Sequence, residues 1–400
     1  MSNSFLDGVR VLDLTNVLAG PFCCHQLAHL GADVIKVEVP QHGDLARQLG
    51  ADPELNQGKM GISFLAQNSG KRSITVNLKS DAGKVLFKRL VASADVLVEN
   101  FRPGVMDRLG VGYNALVEEK PELVYCAISG FGQDGPLRNE PAYDQIIQGM
   151  SGVMSITGDA DTAPYRVGYP MADTIGGLTA AFAVSAALTK SRSERGCFID
   201  VSMLEAVIST MGWAVSNYLV AGKAPQPLGN DNVTASPSGT FKTGDGLLNI
   251  AANKQEQFEA VCEVVGNTDL ISDPRFVDRQ ARLDNRQALV LELERALAAD
   301  TASAWRAALN AAGVPAGRVL SVEQALAHPQ VADRGLIARF DRVPGVGRAV
   351  DVAGAGFKIN GDAPRTKTPA PQLGEHTQSI LDELGYAPND IESLQRDGAI

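Results

Sequence analysis

Four hundred residues exceed what one hydrophobic core usually organises, so the length predicts two domains. Apolar residues make up 44% and charged residues 20%, an ordinary globular composition. The formal charge of −10, from 36 basic and 46 acidic side chains, lacks the basic footprint of a nucleic-acid binder, and no apolar run has the length to span a bilayer, so neither partner is expected.

The N-terminus, "MSNSFLDGVRVLDLT", carries no basic segment followed by an apolar one. A secretory signal is therefore not expected, and a cytoplasmic location is. "VRVLDLT" (9–15) has the β-branched, apolar character of a buried strand. "NVLAGP" turns the chain, and Pro21 suits the first turn of a helix running to Gly31. The "CCH" at 23–25 has no second Cys/His cluster at ligand spacing, so no metal site is expected. Five scattered cysteines do not form a disulfide framework. "ADVIKVE" (32–38) predicts a second strand, "SDAGKVLFKRLVASA" (80–94) a helix capped by Ser80 or Asp81, "DVLVEN" (95–100) a third strand and "ELVYCAISG" (122–130) a fourth. Strands alternating with helices predict an α/β fold with a parallel sheet.

"GFGQDG" (130–135) matches G-x-G-x-x-G after a strand, but Pro136 follows at once and no acid-ended strand lies about twenty residues on. A glycine loop bordering a site is the better reading than a dinucleotide fingerprint. Helix is expected over 174–191, a strand over 197–202 and one long apolar helix over 203–222. The Pro-, Asn- and Ser-rich stretch 223–238 is the best domain boundary. A hairpin turning at GDG is expected over 239–252, helices over 254–266, 285–299 and 301–312, short strands near 337–352 and helices from 376.

Asp173, in "VGYPMADTIGGLTAAF" (167–182), is placed to cap the helix that follows it, and on local grounds capping outweighs catalysis. Gly176 and Gly177 disturb that reading, because each costs up to about 1 kcal/mol in a helix relative to Ala. Their lack of side chains is expected to clear room for a bulky group, with helix-terminal amides keeping the acid ionised. Lys71, Arg72 and Lys79 flank a strand-like run, while Asn100, Phe101 and Arg102 end the third strand. These cations and Arg108 fit either phosphate contacts or a solvated face. Asp13 is expected to be structural, and His376 to cap or pack.

Nearly end to end, the sequence resembles the family III CoA-transferases, also called the CaiB/BaiF family. The resemblance is carried by "GVRVLDLTNVLAGP" (8–21), "LGADVIKVE" (30–38), "GDLAR" (43–47), "KRSITVNLK" (71–79), "VENFRPG" (98–104), "DRLG" (107–110), "YDQIIQGMSGVMSITG" (143–158), "MADTIGG" (171–177) and "LGEHT" (373–377). It implies a Rossmann-like large domain (1–222 and 331–400), a smaller inserted α+β domain (223–330) and an interlocked homodimer. It also implies CoA transfer from a donor acyl-CoA to a carboxylic acid, through aspartyl anhydride and aspartyl-CoA thioester intermediates, with Asp173 as nucleophile. CoA enters as part of the substrate, and no permanently bound cofactor is implied. By resemblance CoA lies near Val17, Lys71, Arg72, Asn77, Leu78, Lys79, Asn100, Phe101 and Arg108, with Tyr143 and Asp144 lining the acyl region.

Three departures refine this. Relatives that racemise 2-methylacyl-CoA carry His where Tyr143 stands, which favours transfer over the alternative, an acyl-CoA racemase or epimerase of the same fold. Asn16 and Leu18 replace the residues of formyl-CoA:oxalate enzymes, which disfavours oxalate. Val39 replaces an arginine that some relatives place near CoA. The stretch 228–246 is similar to relatives using succinyl-CoA and short dicarboxylic acids, so that pair of substrates is expected.

Overall fold

The computed structural model describes residues 4–400. Six parallel strands form the main sheet: β1 (Arg10–Asp13), β2 (Asp33–Glu38), β3 (Lys71–Thr75), β4 (Val96–Glu99), β5 (Val124–Ser129) and β6 (Cys197–Ser202). Their order is β3-β2-β1-β4-β5-β6, with Leu12 of β1 beside Ile35 on one flank and Leu97 on the other. The chain thus winds outward in one direction from β1 and then in the other from β4. In such sheets the crevice for ligands lies beyond the strand C-termini where the order reverses, here between β1 and β4.

Alternate residues of these strands feed two cores. Val11, Val34, Val98, Cys126 and Ile128 pack on one face with helices Ala19–His29 and Met171–Ala187. Leu12, Ile35, Ile74, Leu97 and Ala127 pack on the other with helix Asp81–Ser93 and the C-terminal helices Thr377–Glu383 and Pro388–Arg396. Burial on both faces explains why these strands are runs of β-branched residues without a polar alternation. The Asp81 helix starts as expected, with Ser80 accepting from the Gly83 amide.

The chain divides into two compact units. The unit holding the six-stranded sheet also takes in Arg166–Lys223 and Gln330–Ile400. The second comprises Ala224–Pro329 together with Met154–Tyr165, a segment expected within the large domain. In it β7 (Ser238–Lys242), β8 (Leu247–Ala251) and β9 (Ala316–Arg318) form an antiparallel sheet over Phe241, Leu248, Phe258 and Leu289. The hairpin turn falls on the GDG segment. Among the described residues, no helix is long and apolar enough to cross a membrane.

Two helices differ from expectation. The run 203–222 is not continuous but splits into Met203–Thr210 and Trp213–Ala221, because Gly212 takes φ +53° and breaks the hydrogen-bond ladder. The Asp173 helix begins at Met171, so Asp173 is its third residue and not its cap.

The doubled glycine also has a different cause from the one expected. A Cβ on Gly177 would stand 2.4 Å from the Ala19 carbonyl oxygen, and one on Gly176 would stand 2.9 Å from Met203 Cγ. Both glycines are buried. Gly177 lets the Asp173 helix press directly on helix Ala19–His29 and Gly176 lets it press on Met203, rather than clearing space for substrate. Gly177→Ala is therefore expected to destabilise the protein by about 1–3 kcal/mol despite the better helix propensity of alanine. Denaturant unfolding of the two proteins checks this; an unchanged or raised midpoint would count against the packing account.

Candidate functional site

The loop after β1 is fixed by charges buried beneath it. Asp13, Lys36 and Lys71 are wholly or almost wholly buried. Lys71 Nζ lies 2.8 Å from Asp13 Oδ2 and donates to the Pro21 carbonyl. Lys36 Nζ lies 2.9 Å from Asp44 Oδ2 and donates to the Thr15 carbonyl. Burial alone would raise the Asp13 pKa, but Lys36 and Lys71 outweigh it and hold the carboxyl below its usual range. The same carboxylate accepts from the Thr15 amide and hydroxyl. Asp13 is structural, as the sequence suggests.

Two further clamps hold the tip of that loop. Asp44 Oδ1 accepts from the Val17 amide at 2.9 Å. Asn100, just past β4, exchanges hydrogen bonds with Asn16, accepting from its amide and donating to its carbonyl. Between them Val17 sits at φ +67°, a conformation strained for a β-branched residue that persists only where neighbours over-determine it. The Asn100 turn is itself anchored, since the buried Glu99 accepts from the Phe101 amide at 2.7 Å.

Asn16, Val17, Asn100 and Phe101 line a cleft of about 350 Å³ at the reversal of strand order. Asp173, Tyr143, Met203, Phe131, Arg102 and Arg138 complete much of its wall. The glycine loop at 130–135 does border a site, through Gly130 and Phe131.

No side-chain cap starts the Asp173 helix from within its own sequence. Asp144 supplies one from another helix, its Oδ1 accepting from the Ala172 amide at 2.8 Å and the Asp173 amide at 3.4 Å. Its other oxygen accepts from Gln148 Nε2, with Arg166 at 3.6 Å. The Asp173 carboxylate is thereby relieved of capping, and no donor among the described residues reaches it. Burial, and then the Asp144 charge, push its pKa up to about 7. This reverses the expectation that helix amides keep it firmly ionised: the amides are spent on Asp144.

Of the residues expected near CoA, the structure brings Val17, Asn100, Phe101 and Tyr143 to the Asp173 cleft. It keeps others away. Lys71 is buried in the charge cluster. Arg72 is tied to Asp33 at 2.7 Å and Glu383 at 2.6 Å. Asn77 donates to the Gly398 carbonyl, Leu78 packs on the core, and Lys79 is exposed. Arg108 lines a neighbouring pocket of about 450 Å³ with Glu99, Tyr113, Tyr125 and Phe198. Sequence reasoning missed Asp44 as a clamp and Arg138 as a lining residue. Lys36, a lone cation inside an apolar strand, was the legible signal of a buried acid nearby.

The model of a family described as CoA-transferase family III matches residues 6–377. The chain belongs to this family. It is a CoA-transferase, as are curated relatives along nearly its whole length. It is 40% identical to the acetyl-CoA:oxalate CoA-transferase of Acetobacter aceti, over 94% of this chain and 95% of that one. It is 37% identical to the succinyl-CoA:glutarate CoA-transferase of Mus musculus, over 99% and 90%. The solved structure of a CaiB/BaiF family protein from Brucella suis aligns with TM-score 0.84 at 35% identity, covering 96% of this chain and all of that one.

The elevated Asp173 pKa has two consequences, of opposite sense. If the ionised carboxylate reacts, kcat/KM for the acyl-CoA rises with pH through about 7 and levels above it. Asp144→Asn, which removes the neighbouring charge but keeps an acceptor oxygen, should move that midpoint to lower pH. Stability runs the other way: the folded state holds this proton more tightly than the unfolded chain, so the group costs stability as pH rises from 3.8 through about 7. Asp173→Asn should accordingly melt higher than the natural protein at pH 8 and no higher at pH 4, as thermal scans at the two values would reveal.

Proposed function

We propose that this enzyme moves CoA from succinyl-CoA or a similar donor to a small dicarboxylic acid, using Asp173 as a covalent carrier. The observation that carries this reading is a carboxylate without hydrogen-bond partners in a cleft at the switch point of the sheet. A solvated or hydrogen-bonded carboxylate is a poor nucleophile by comparison, because its lone pairs are already engaged. The family membership and the relatives named for glutarate and mesaconate support the choice of diacid. Oxalate, disfavoured from Asn16 and Leu18, belongs in the acceptor panel, since a 40% identical relative is named for it.

The steps balance without an added reagent. An Asp173 oxygen attacks the thioester carbonyl and CoA leaves as the thiolate, giving a mixed anhydride. The thiolate then attacks the Asp173 acyl carbon and expels the donor acid, leaving an aspartyl-CoA thioester. The acceptor carboxylate displaces the thiolate to form a second anhydride. Finally the thiolate attacks the acceptor acyl carbon, which releases the new acyl-CoA and restores the Asp173 carboxylate. One hard exchange becomes four acyl transfers of similar difficulty. CoA takes part as substrate, and we assign no resident cofactor or metal. We place its pantetheine end against Val17, Asn100 and Phe101, with Tyr143 beside the acyl group.

Asp173→Ala is expected to lower exchange by at least about 10³-fold while CoA still binds. Hydroxylamine added after the donor should leave an aspartyl hydroxamate at Asp173 in the natural protein, located by peptide mass spectrometry. Full turnover by the alanine variant would sink the reading.

We further propose a homodimer acting in the cytoplasm. The dimer is supported by the family resemblance and by large apolar side chains left exposed on the sheet-bearing unit, among them Phe182 at 77%, Leu219 at 74% and Val220 at 87%. Light scattering should return twice the chain mass; a monomer at micromolar concentration would refute this part alone.

A further inference from the structure

Two guanidinium groups line the Asp173 cleft, Arg102 and Arg138, and neither forms an ion pair among the described residues. Other arginines, Arg108 among them, also form no ion pair among the described residues, but Arg102 and Arg138 are those that line this cleft. Arg10, Arg47, Arg72, Arg192, Arg195 and Arg348 each lie against a carboxylate. An arginine kept unpaired in a cleft on a chain of net charge −10 is available for an anionic ligand.

The two are not equivalent. Arg102 follows directly on Asn100 and Phe101, the stretch assigned above to CoA. Arg138 lies on the segment after β5 that also contributes Phe131 and Ala142. It lines both this cleft and the neighbouring pocket that it shares with Pro103. The remaining wall near the β5 end is apolar or uncharged, except for Glu140. An acid whose first carboxyl group reacts at Asp173 carries its second roughly 4–5 Å away if its chain has four or five carbons. That second carboxylate needs a cation, and its geometry suits a bidentate guanidinium.

We propose that Arg138 is the specificity-determining residue that holds the distal carboxylate of the diacid. The proposal rests on the transferase reading above and on exchange at a single aspartate. Because donor and acceptor acyl groups visit the same Asp173 in turn, one subsite serves both. Arg138 therefore reads the free acceptor and the succinyl part of the donor alike.

The test compares substrates matched in length that differ by one carboxylate: glutarate with valerate as acceptors, and succinyl-CoA with butyryl-CoA as donors. For the natural enzyme kcat/KM favours the diacid member of each pair. In R138Q the diacid-to-monoacid ratio should fall at least about 10-fold for acceptors and donors together. R138K keeps the charge but loses the fork, so its ratio should fall between the two. It also serves as the readout if R138Q fails to fold by circular dichroism. Equal losses for both members of a pair, leaving the ratio intact, would place Arg138 on CoA and overturn the inference. A natural enzyme that transfers CoA without preferring diacids overturns this inference and leaves the transferase mechanism standing. One that transfers CoA between no pair of acids overturns both.

Discussion

The geometry of the cleft depends on charges that never meet solvent. Lys36 and Lys71 pair with Asp44 and Asp13, and they also donate to the Thr15 carbonyl of the loop and the Pro21 carbonyl in the first turn of the helix that follows it. Ions this deeply buried are tolerated only when paired and hydrogen-bonded, and removing one partner typically costs about 3–5 kcal/mol. The cluster therefore tolerates few arrangements of the 14–18 loop. That severity is what holds Val17 in a left-handed conformation at the cleft wall.

The same economy of position recurs at Asp173. Asp144 caps the helix from outside, satisfying amides that Asp173 would otherwise engage. Its charge simultaneously raises the free energy of the ionised Asp173. A like charge disfavours the ionised carboxylate, and any change that neutralises Asp173 relieves that repulsion. The state of the Asp173 carboxylate is set by its burial and by the neighbouring charge, rather than by any donor directed at it.

Much of this fold was legible in the chain. The parallel strands announced themselves as β-branched runs because both faces of the sheet are covered, and Ser80 marked its helix start. What was illegible depended on partners distant in sequence. The glycines at 176 and 177 suggested open space, but their meaning came from Ala19 and Met203, more than twenty residues away in one case and more than a hundred in the other. Asp173 had the local pattern of a cap because nothing nearby indicated that Asp144 would take that part. The left-handed turn at Val17 leaves no trace at all, since valine is among the last residues expected there. Lys71 and Arg72 were legible as cations, but not as cations already committed to Asp13, Asp33 and Glu383.

The contact between Gly177 and the Ala19 carbonyl joins main chain to main chain. Helix Ala19–His29 continues straight from the Val17 loop, so the Asp173 helix and that loop are packed backbone to backbone at a spacing that Gly177 sets. The cleft wall from Gly130 to Tyr143, by contrast, lies on irregular backbone after β5. Substitutions there can change the wall of the cleft while Asp173 and the Val17 loop stay in register. That separation lets one wall of the cleft vary in sequence without disturbing the packing behind the other.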